Sequence, residues 1–352
     1  MATGYPVKQN FAAGDILTAT QMNDLSGTVN FAVSATPTTG TQMAGKNKLI
    51  NGDCTINQRS FTSSTTTGTY GFDRQYFTTS DGTVTYSAQT FTPGTAPVTG
   101  YEAKNYARIV TTGQTLTTAF SRYRHSVENV RNYAAQTTTF SFWAKAATGT
   151  PKIAVELTQS FGTGGSPSGN ANLYIAQVTL STSWARYSVT VNVPSISGKT
   201  IGTTDNTSQL WCEMWLSAGS SFDARTGTLG IQSNTFDMWG FQWEPGSTAT
   251  AFQTASGSPQ AELAMCQRYY QLSDFYIEGY NIIGGTTGQQ SYWKVNTRTT
   301  PTIAFTTAPT LNNVSSYNVI RLTAFGGQAY IINTALGGAY GFSGVYSVSA
   351  EL

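Results

Sequence analysis

The sequence predicts a mainly β chain of antiparallel sandwiches, with a short helix in its leader and another between its two β regions. Three observations carry that prediction. Residues that suit a pleated, half-buried surface are abundant: 58 Thr, 19 Tyr, 18 Phe and 7 Trp among 352 residues. Runs of alternating apolar and polar residues recur, separated by clusters of Gly, Asn, Asp and Ser. Long stretches of helical period are almost absent.

The elements follow in order. Residues 1–45 form a leader. Thr18-Ala19-Thr20-Gln21 fits a capping box, in which the Thr18 hydroxyl takes a free amide and Gln21 reaches back. Met22, Leu25 and Val29 then recur at helical spacing. A helix this short is marginal alone, so its stripe needs either the body of the chain or other copies of itself. A Thr/Gly/Pro linker from Ser34 to Gly45 follows.

Residues 46–257 read as strand after strand. Tyr187, Val189, Val191 and Val193 alternate with Ser188, Thr190 and Asn192. Ile153 to Leu157 and Phe140 to Trp143 alternate likewise. Leu210, Cys212, Met214 and Leu216 share one side, with Trp211, Glu213 and Trp215 on the other. Trp239, Phe241 and Trp243 are expected on one side. Phe91–Tyr101 and Phe161–Gly169 read as long loops. Ser258 and Pro259 open a helix as N-cap and first-turn residue, with Glu262 near the positive end of its dipole. Leu263, Cys266 and Tyr270 form its face, so residues 258–273 are expected to link two β modules. Residues 274–352 form the second. Between Arg298 and Leu352 its only charged side chains are Arg321 and Glu351; a surface so poor in charge favours burial between subunits.

Composition excludes several function classes. Lys+Arg is 19 and Asp+Glu 17, a net charge of +2, too little for strong binding to nucleic acid. Cys54, Cys212 and Cys266 are odd in number and widely spaced, which argues against a disulfide framework or a zinc site. The start, Met1 to Lys8, lacks a basic residue followed by an apolar run, and no stretch approaches ~18 apolar residues. A chain made in a cytosol and not inserted in membranes is expected. The single histidine, His125, has no nucleophile placed with it and reads as a surface or satisfied strand residue. No phosphate-cradling glycine loop occurs. Glu156, Glu213, Asp223 and Asp237 are the carboxylates a glycoside hydrolase would draw on. Aromatics are the remaining signal, since their faces stack on sugar rings. Most of Trp143, Trp184, Trp211, Trp215, Trp239 and Trp243 are expected in the core, with one or two exposed.

Several segments, in order, resemble bacteriophage tail-fibre and receptor-binding proteins. They are Asn47-Lys48-Leu49-Ile50-Asn51-Gly52-Asp53 with Ile56-Asn57-Gln58-Arg59, Tyr70-Gly71-Phe72-Asp73-Arg74, and Val127-Glu128-Asn129-Val130-Arg131. Phe140 to Ala146, Ser183 to Thr190, Trp239 to Gly246, Cys266 to Tyr270 and the ending Ser347 to Leu352 continue the series. Phe11 to Ala19 resembles the virion-attachment start of such fibres. The middle module is similar to jelly-roll carbohydrate-binding modules. Two departures stand out: Cys54 replaces a bulky apolar residue, and Arg122-Tyr123-Arg124-His125 is unusually basic.

The resemblance implies a jelly roll that holds glycan on a sheet or loop edge, and a distal tip in which Tyr292, Trp293, Tyr317 and Tyr330 contact it. It implies no required cofactor, although such modules often carry structural calcium, here at Asp53 and Asp237, whose hard oxygens suit that ion. It further implies a homotrimer in a virion tail appendage, docked to a tail or baseplate protein through residues 1–45 and binding host surface glycan without catalysis. A capsid head fibre and a polysaccharide depolymerase are the alternatives.

Overall fold

The computed structural model describes residues 45–204, 206–281, 286–333 and 338–352. The expected leader helix, from Thr18 to Val29, lies outside them. The described residues form a mainly β structure of antiparallel sheets in sandwiches.

The first sandwich has twelve strands: β1 (Ser63–Ser64), β2 (Thr69–Tyr70), β3 (Gln75–Ser80), β4 (Thr83–Thr90), β5 (Asn105–Thr112), β6 (Phe120–Glu128), β7 (Thr137–Ala146), β8 (Lys152–Ser160), β9 (Ala171–Thr179), β10 (Ala185–Asn192), β11 (Gln209–Ala218) and β12 (Asn234–Pro245). They pair as β1-β4-β5-β12-β7-β10 and β2-β3-β6-β11-β8-β9. Phe77, Tyr123, Cys212 and Met214 from one sheet meet Tyr86, Phe140, Phe142 and Trp243 from the other in a buried core. Each such aromatic contributes roughly 1.5–3 kcal/mol by leaving water.

The alternation expected in β10 and β11 is present. In β12 it breaks. Gly240, at φ 68°, sits in a register shift between Trp239 and Gln242. Trp239 therefore pairs with outward Trp143, whereas Trp243 pairs with inward Phe140, so the two tryptophans lie on opposite faces. Trp239 is nevertheless buried, because the 91–103 loop and the segment after β12 fold over it: the Tyr101 ring lies 5.6 Å and the Phe252 ring 4.8 Å away. His125 is neither a surface nor a satisfied residue. It is buried beside Phe241, 4.5 Å between rings, and its Nε2 has no partner. All three cysteines are buried and free of disulfide bonds.

The helix spans Pro259–Gln267, with the Ser258 hydroxyl accepting from the Ala261 amide. It stops six residues short of the expected end at residue 273. Tyr270 instead opens a strand, because its alternating successors find a long partner. The second region holds β13 (Tyr270–Asn281), β14 (Thr286–Tyr292), β15 (Thr302–Phe305), β16 (Thr310–Asn312), β17 (Val314–Ile320), β18 (Gly326–Asn333) and β19 (Gly338–Ser349). Its sheets run β13-β19-β15, with β16 also on β19, and β14-β18-β17. Phe275, Ile277, Ile331, Phe342, Tyr346 and Val348 fill the space between them.

The chain end locks this region to the first. Glu351 pairs with Arg59 at 2.9 Å and with buried Arg74. The Tyr70 hydroxyl donates to the Leu352 carbonyl, 2.6 Å, and Arg268 forks onto Glu128. No helix among the described residues is long and apolar enough to cross a membrane.

Candidate functional site

The outer face of the β2-β3-β6-β11-β8-β9 sheet gathers residues that are far apart in sequence. Register puts Tyr76, Arg124, Glu213, Glu156 and Tyr174 in one row across five strands. A second row runs Ser126, Trp211, Thr158, Asn172, and a third Thr78, Arg122, Trp215, Ala154, Gln177. Alternation within each strand sends all of them outward, because side chains repeat with period two.

Two electrostatic arrangements share this face. Around Trp215, Glu156 and Glu213 are cross-strand neighbours. Arg225, from the short helix Asp223–Thr226, grips Glu156 at 2.6 and 2.8 Å, and the Trp215 indole donates to it at 2.9 Å. Arg225 also lies 3.6 Å and Arg122 3.4 Å from Glu213. Burial raises the Glu156 carboxyl above the ordinary range, and the Glu213 charge adds to that, while Arg225 opposes both. Both Glu156 oxygens are occupied and its side chain has no exposure, so this pair serves as an internal counter-ion to the arginines.

The other arrangement has no such neutralisation. The Arg124 guanidinium lies between the Tyr76 ring at 4.5 Å and the Trp211 ring at 4.4 Å. Stacking of this kind holds a guanidinium flat while leaving its in-plane donors free. No carboxylate or hydrogen bond engages the Arg124 side chain among the described residues, and its Nε and the Trp211 Nε1 are sealed from solvent without partners. Tyr76, Arg124 and Trp211 are half-buried, and Asn172 and Tyr174 beyond them are exposed.

The sequence-stated candidates are placed elsewhere. Tyr292 is 75% exposed and shares the outer face of β14-β18-β17 with half-buried Tyr330, since Tyr292 pairs with Gly326 and Gly288 with Tyr330. Tyr317 points to the opposite face and packs on Phe305 and Phe342 at 5.3 and 5.1 Å. Trp293 is buried, its indole donating to the Thr323 carbonyl. The four thus do not converge. Nearby, Tyr276, Glu278, Thr310, Asn312, Gly341 and Ser343 border an open groove of about 390 Å³ on the outer face of β13-β19-β16.

Asp53 and Asp237 do not fit a calcium site. Asp53 accepts from the Thr55 hydroxyl at 2.7 Å and the Tyr101 hydroxyl at 2.8 Å. Asp237 is held by Arg108 at 2.7 and 2.9 Å and faces Lys145 at 3.7 Å, so cations of the chain already neutralise it. They share no partner. Among the described residues no group of three or more His, Cys, Asp and Glu could hold a metal ion.

Sequence reasoning put Trp211 and Glu213 on one side of their strand but did not find the Tyr76–Arg124–Trp211 stack. Alternation fixes a face within one strand; which strands adjoin is set by the fold. The signal available was the unusual basicity of Arg122-Tyr123-Arg124-His125.

No family model matches the sequence, and no curated protein matches it. Solved structures do. The enzymatically active domain of tailspike protein 4 from bacteriophage CBA120 is 9% identical with a TM-score of 0.32; the match covers 57% of this chain and only 21% of that one. The family 11 carbohydrate-binding module of Clostridium thermocellum, solved with a β-1,3-1,4-mixed-linked tetrasaccharide, is 11% identical with a TM-score of 0.32, covering 54% of this chain and 99% of the module. A xylan-binding domain, CBM22-2, of Xyn10C from Paenibacillus barcinonensis is 18% identical with a TM-score of 0.29, covering 48% and 91%.

Proposed function

We propose that the chain is a non-catalytic adhesin of a bacteriophage tail appendage that attaches the particle to host surface glycan, with several copies acting together. The observation that carries this reading is the open outer face holding Tyr76, Arg124, Trp211, Asn172 and Tyr174 in adjacent rows. A sugar ring is amphipathic. Its C–H face lies on aromatic rings, and its hydroxyls take up the donors of Arg and the amide of Asn. The ordered tail-fibre-like segments of the sequence supply the biological setting.

Multiple copies suit weak single sites, because a tethered second contact is effectively intramolecular. Tyr276, Tyr280, Tyr292, Leu311, Phe325 and Ile332 are exposed in the charge-poor second region, and association of copies would cover such surface. A homotrimer is the expected state. Residues 1–45 are its expected dock on the tail.

Affinity electrophoresis of the intact protein in gels containing host surface polysaccharide tests the reading, with light scattering reporting the oligomer. Retardation that Trp211→Ala weakens at least tenfold, without loss of folded signal, supports it. Absence of retardation, or equal retardation of Trp211→Ala, overturns it, and shortened polysaccharide after incubation would mark a depolymerase instead. Labelled particles imaged with a bound antibody separate a tail position from a capsid one.

A further inference from the structure

We propose that the glycan bound on this face carries an oxyanion, a carboxylate or a phosphate, and that Arg124 receives it. The inference deepens the adhesin reading and rests on it.

Three features single out Arg124. Among the described residues, Arg122 and Arg124 of the central rows and Arg225 from the short helix meet two carboxylates there, Glu156 and Glu213, which leaves one positive charge over. Arg225 closes on Glu156 and Arg122 leans to Glu213, so the surplus belongs to Arg124. Glu213 is its direct cross-strand neighbour, yet no ion pair joins them; Arg124 lies between rings instead.

A solvated surface arginine is ordinary, and most unpaired cations need no ligand. This one differs in being fixed. Rings at 4.5 and 4.4 Å on two strands define its plane, and its Nε is sealed from water without a partner. Its conformational entropy is lost on folding rather than on binding, which is what preorganises a site. A planar fork with free terminal donors matches two oxygens of a carboxylate or phosphate, a geometry lysine lacks. The half-buried indole of Trp211 beside it offers the sugar ring its apolar floor, so charge and ring are recognised side by side.

The test compares three polymers in affinity gels with the full-length protein: polygalacturonate, a poly(glycerol phosphate) and neutral galactan. The wild type is expected to bind at least one anionic polymer ten-fold or more tightly than galactan, and that preference is expected to shrink as salt rises from 50 to 300 mM. Arg124→Gln should abolish the preference by weakening binding to the anionic polymer at least ten-fold and by clearly more than it weakens binding to galactan, and Arg124→Lys should restore only part of it. Carboxylate and phosphate are told apart by which anionic gel retards the protein. If the variants fold poorly, the wild-type comparison of anionic with neutral polymer still decides. Equal binding to galactan and to both anionic polymers overturns the inference and leaves the adhesin reading standing. An anionic preference unchanged in Arg124→Gln also overturns it. Failure to bind any of the three, together with failure on host polysaccharide, removes both.

Discussion

His125 makes the folding of the first sandwich sensitive to acid, by an amount that can be worked out. It is fully buried against Phe241 and Tyr123, and burial first, then the nearby Arg74 charge, lowers its pKa from 6.5 to about 3. The unfolded chain therefore binds a proton between those values that the native chain refuses. Stability from this group is present above pH 6.5 and is lost as pH falls towards 3, by about 1.4 kcal/mol per pH unit. At pH 4.5 the native imidazole is still neutral, so the loss relative to pH 7.5 comes to roughly 2–3 kcal/mol. Asp73 moves the other way: mainly through burial its carboxyl is raised to about 6, so its contribution grows as pH falls from about 6 to its ordinary 3.8. Asp73 is common to both proteins and drops out when wild type is compared with His125→Leu. Leu keeps the approximate volume and removes a nitrogen that has no partner, so the cost at pH 7.5 should stay within about 1.5 kcal/mol. Urea unfolding of both proteins at pH 7.5, 6 and 4.5 reads the difference. The leucine variant should gain roughly 2–3 kcal/mol on the wild type over that range. A constant difference would mean that His125 is protonated, or solvated, in the native state.

Two further stability measurements probe the framework. Glu262 accepts from the Asn51 amide at 2.6 Å and from the Ser256 amide and hydroxyl at 2.9 and 2.7 Å, so Glu262→Gln should lose about 2 kcal/mol or more, seen as a lower urea midpoint with an unchanged slope. Glu351→Ala leaves Arg74, 2% exposed, without its carboxylate; a loss of roughly 3–5 kcal/mol in thermal or denaturant unfolding is expected, with earlier proteolytic cleavage between the two β regions.

Much of the fold was legible in the sequence because period-two alternation is a local property. Strand β10 shows it directly, with Val189 and Val191 buried and Ser188 and Thr190 exposed. Three features were not legible. A bulge at Gly240 reverses the faces expected for β12, and an isolated glycine in a strand does not announce a bulge by itself. The helix face expected to continue to Tyr270 was overridden by the pairing of Tyr270 with Ser349, a contact across 79 residues. The outward residues Trp215, Glu213 and Glu156 are buried rather than solvated, because Arg122 and Arg225 stack on Trp215 and pair with the two carboxylates. Each depended on which strands adjoin.

The same distinction explains why the tail-fibre-like segments did not point to the site. Their residues are framework. Asn47 donates to the Phe241 and Gln253 carbonyls and accepts from the Leu49 and Trp243 amides, stitching the start of the sandwich to its last strand. Asn51 ties the Ile56 amide and carbonyl to the Asp73 carbonyl. Asp73 and Arg74 anchor the ion-pair cluster at the chain end through Arg59 and Glu351, and Glu128 receives Arg268 and Tyr269. Such groups are bonded to buried backbone or to one another, so substitution at any of them leaves a buried partner unsatisfied. Outward residues that bond to no other group of the chain, as Arg124 here, carry no such constraint, and their chemistry can change without disturbing the sandwich beneath. Arg124 stands where this chain departs from the resemblance, on the outer surface of a strand whose inward neighbours, Tyr123 and His125, are core. A motif built from framework therefore specifies the kind of module and leaves the chemistry of its outer face to the residues between the motifs.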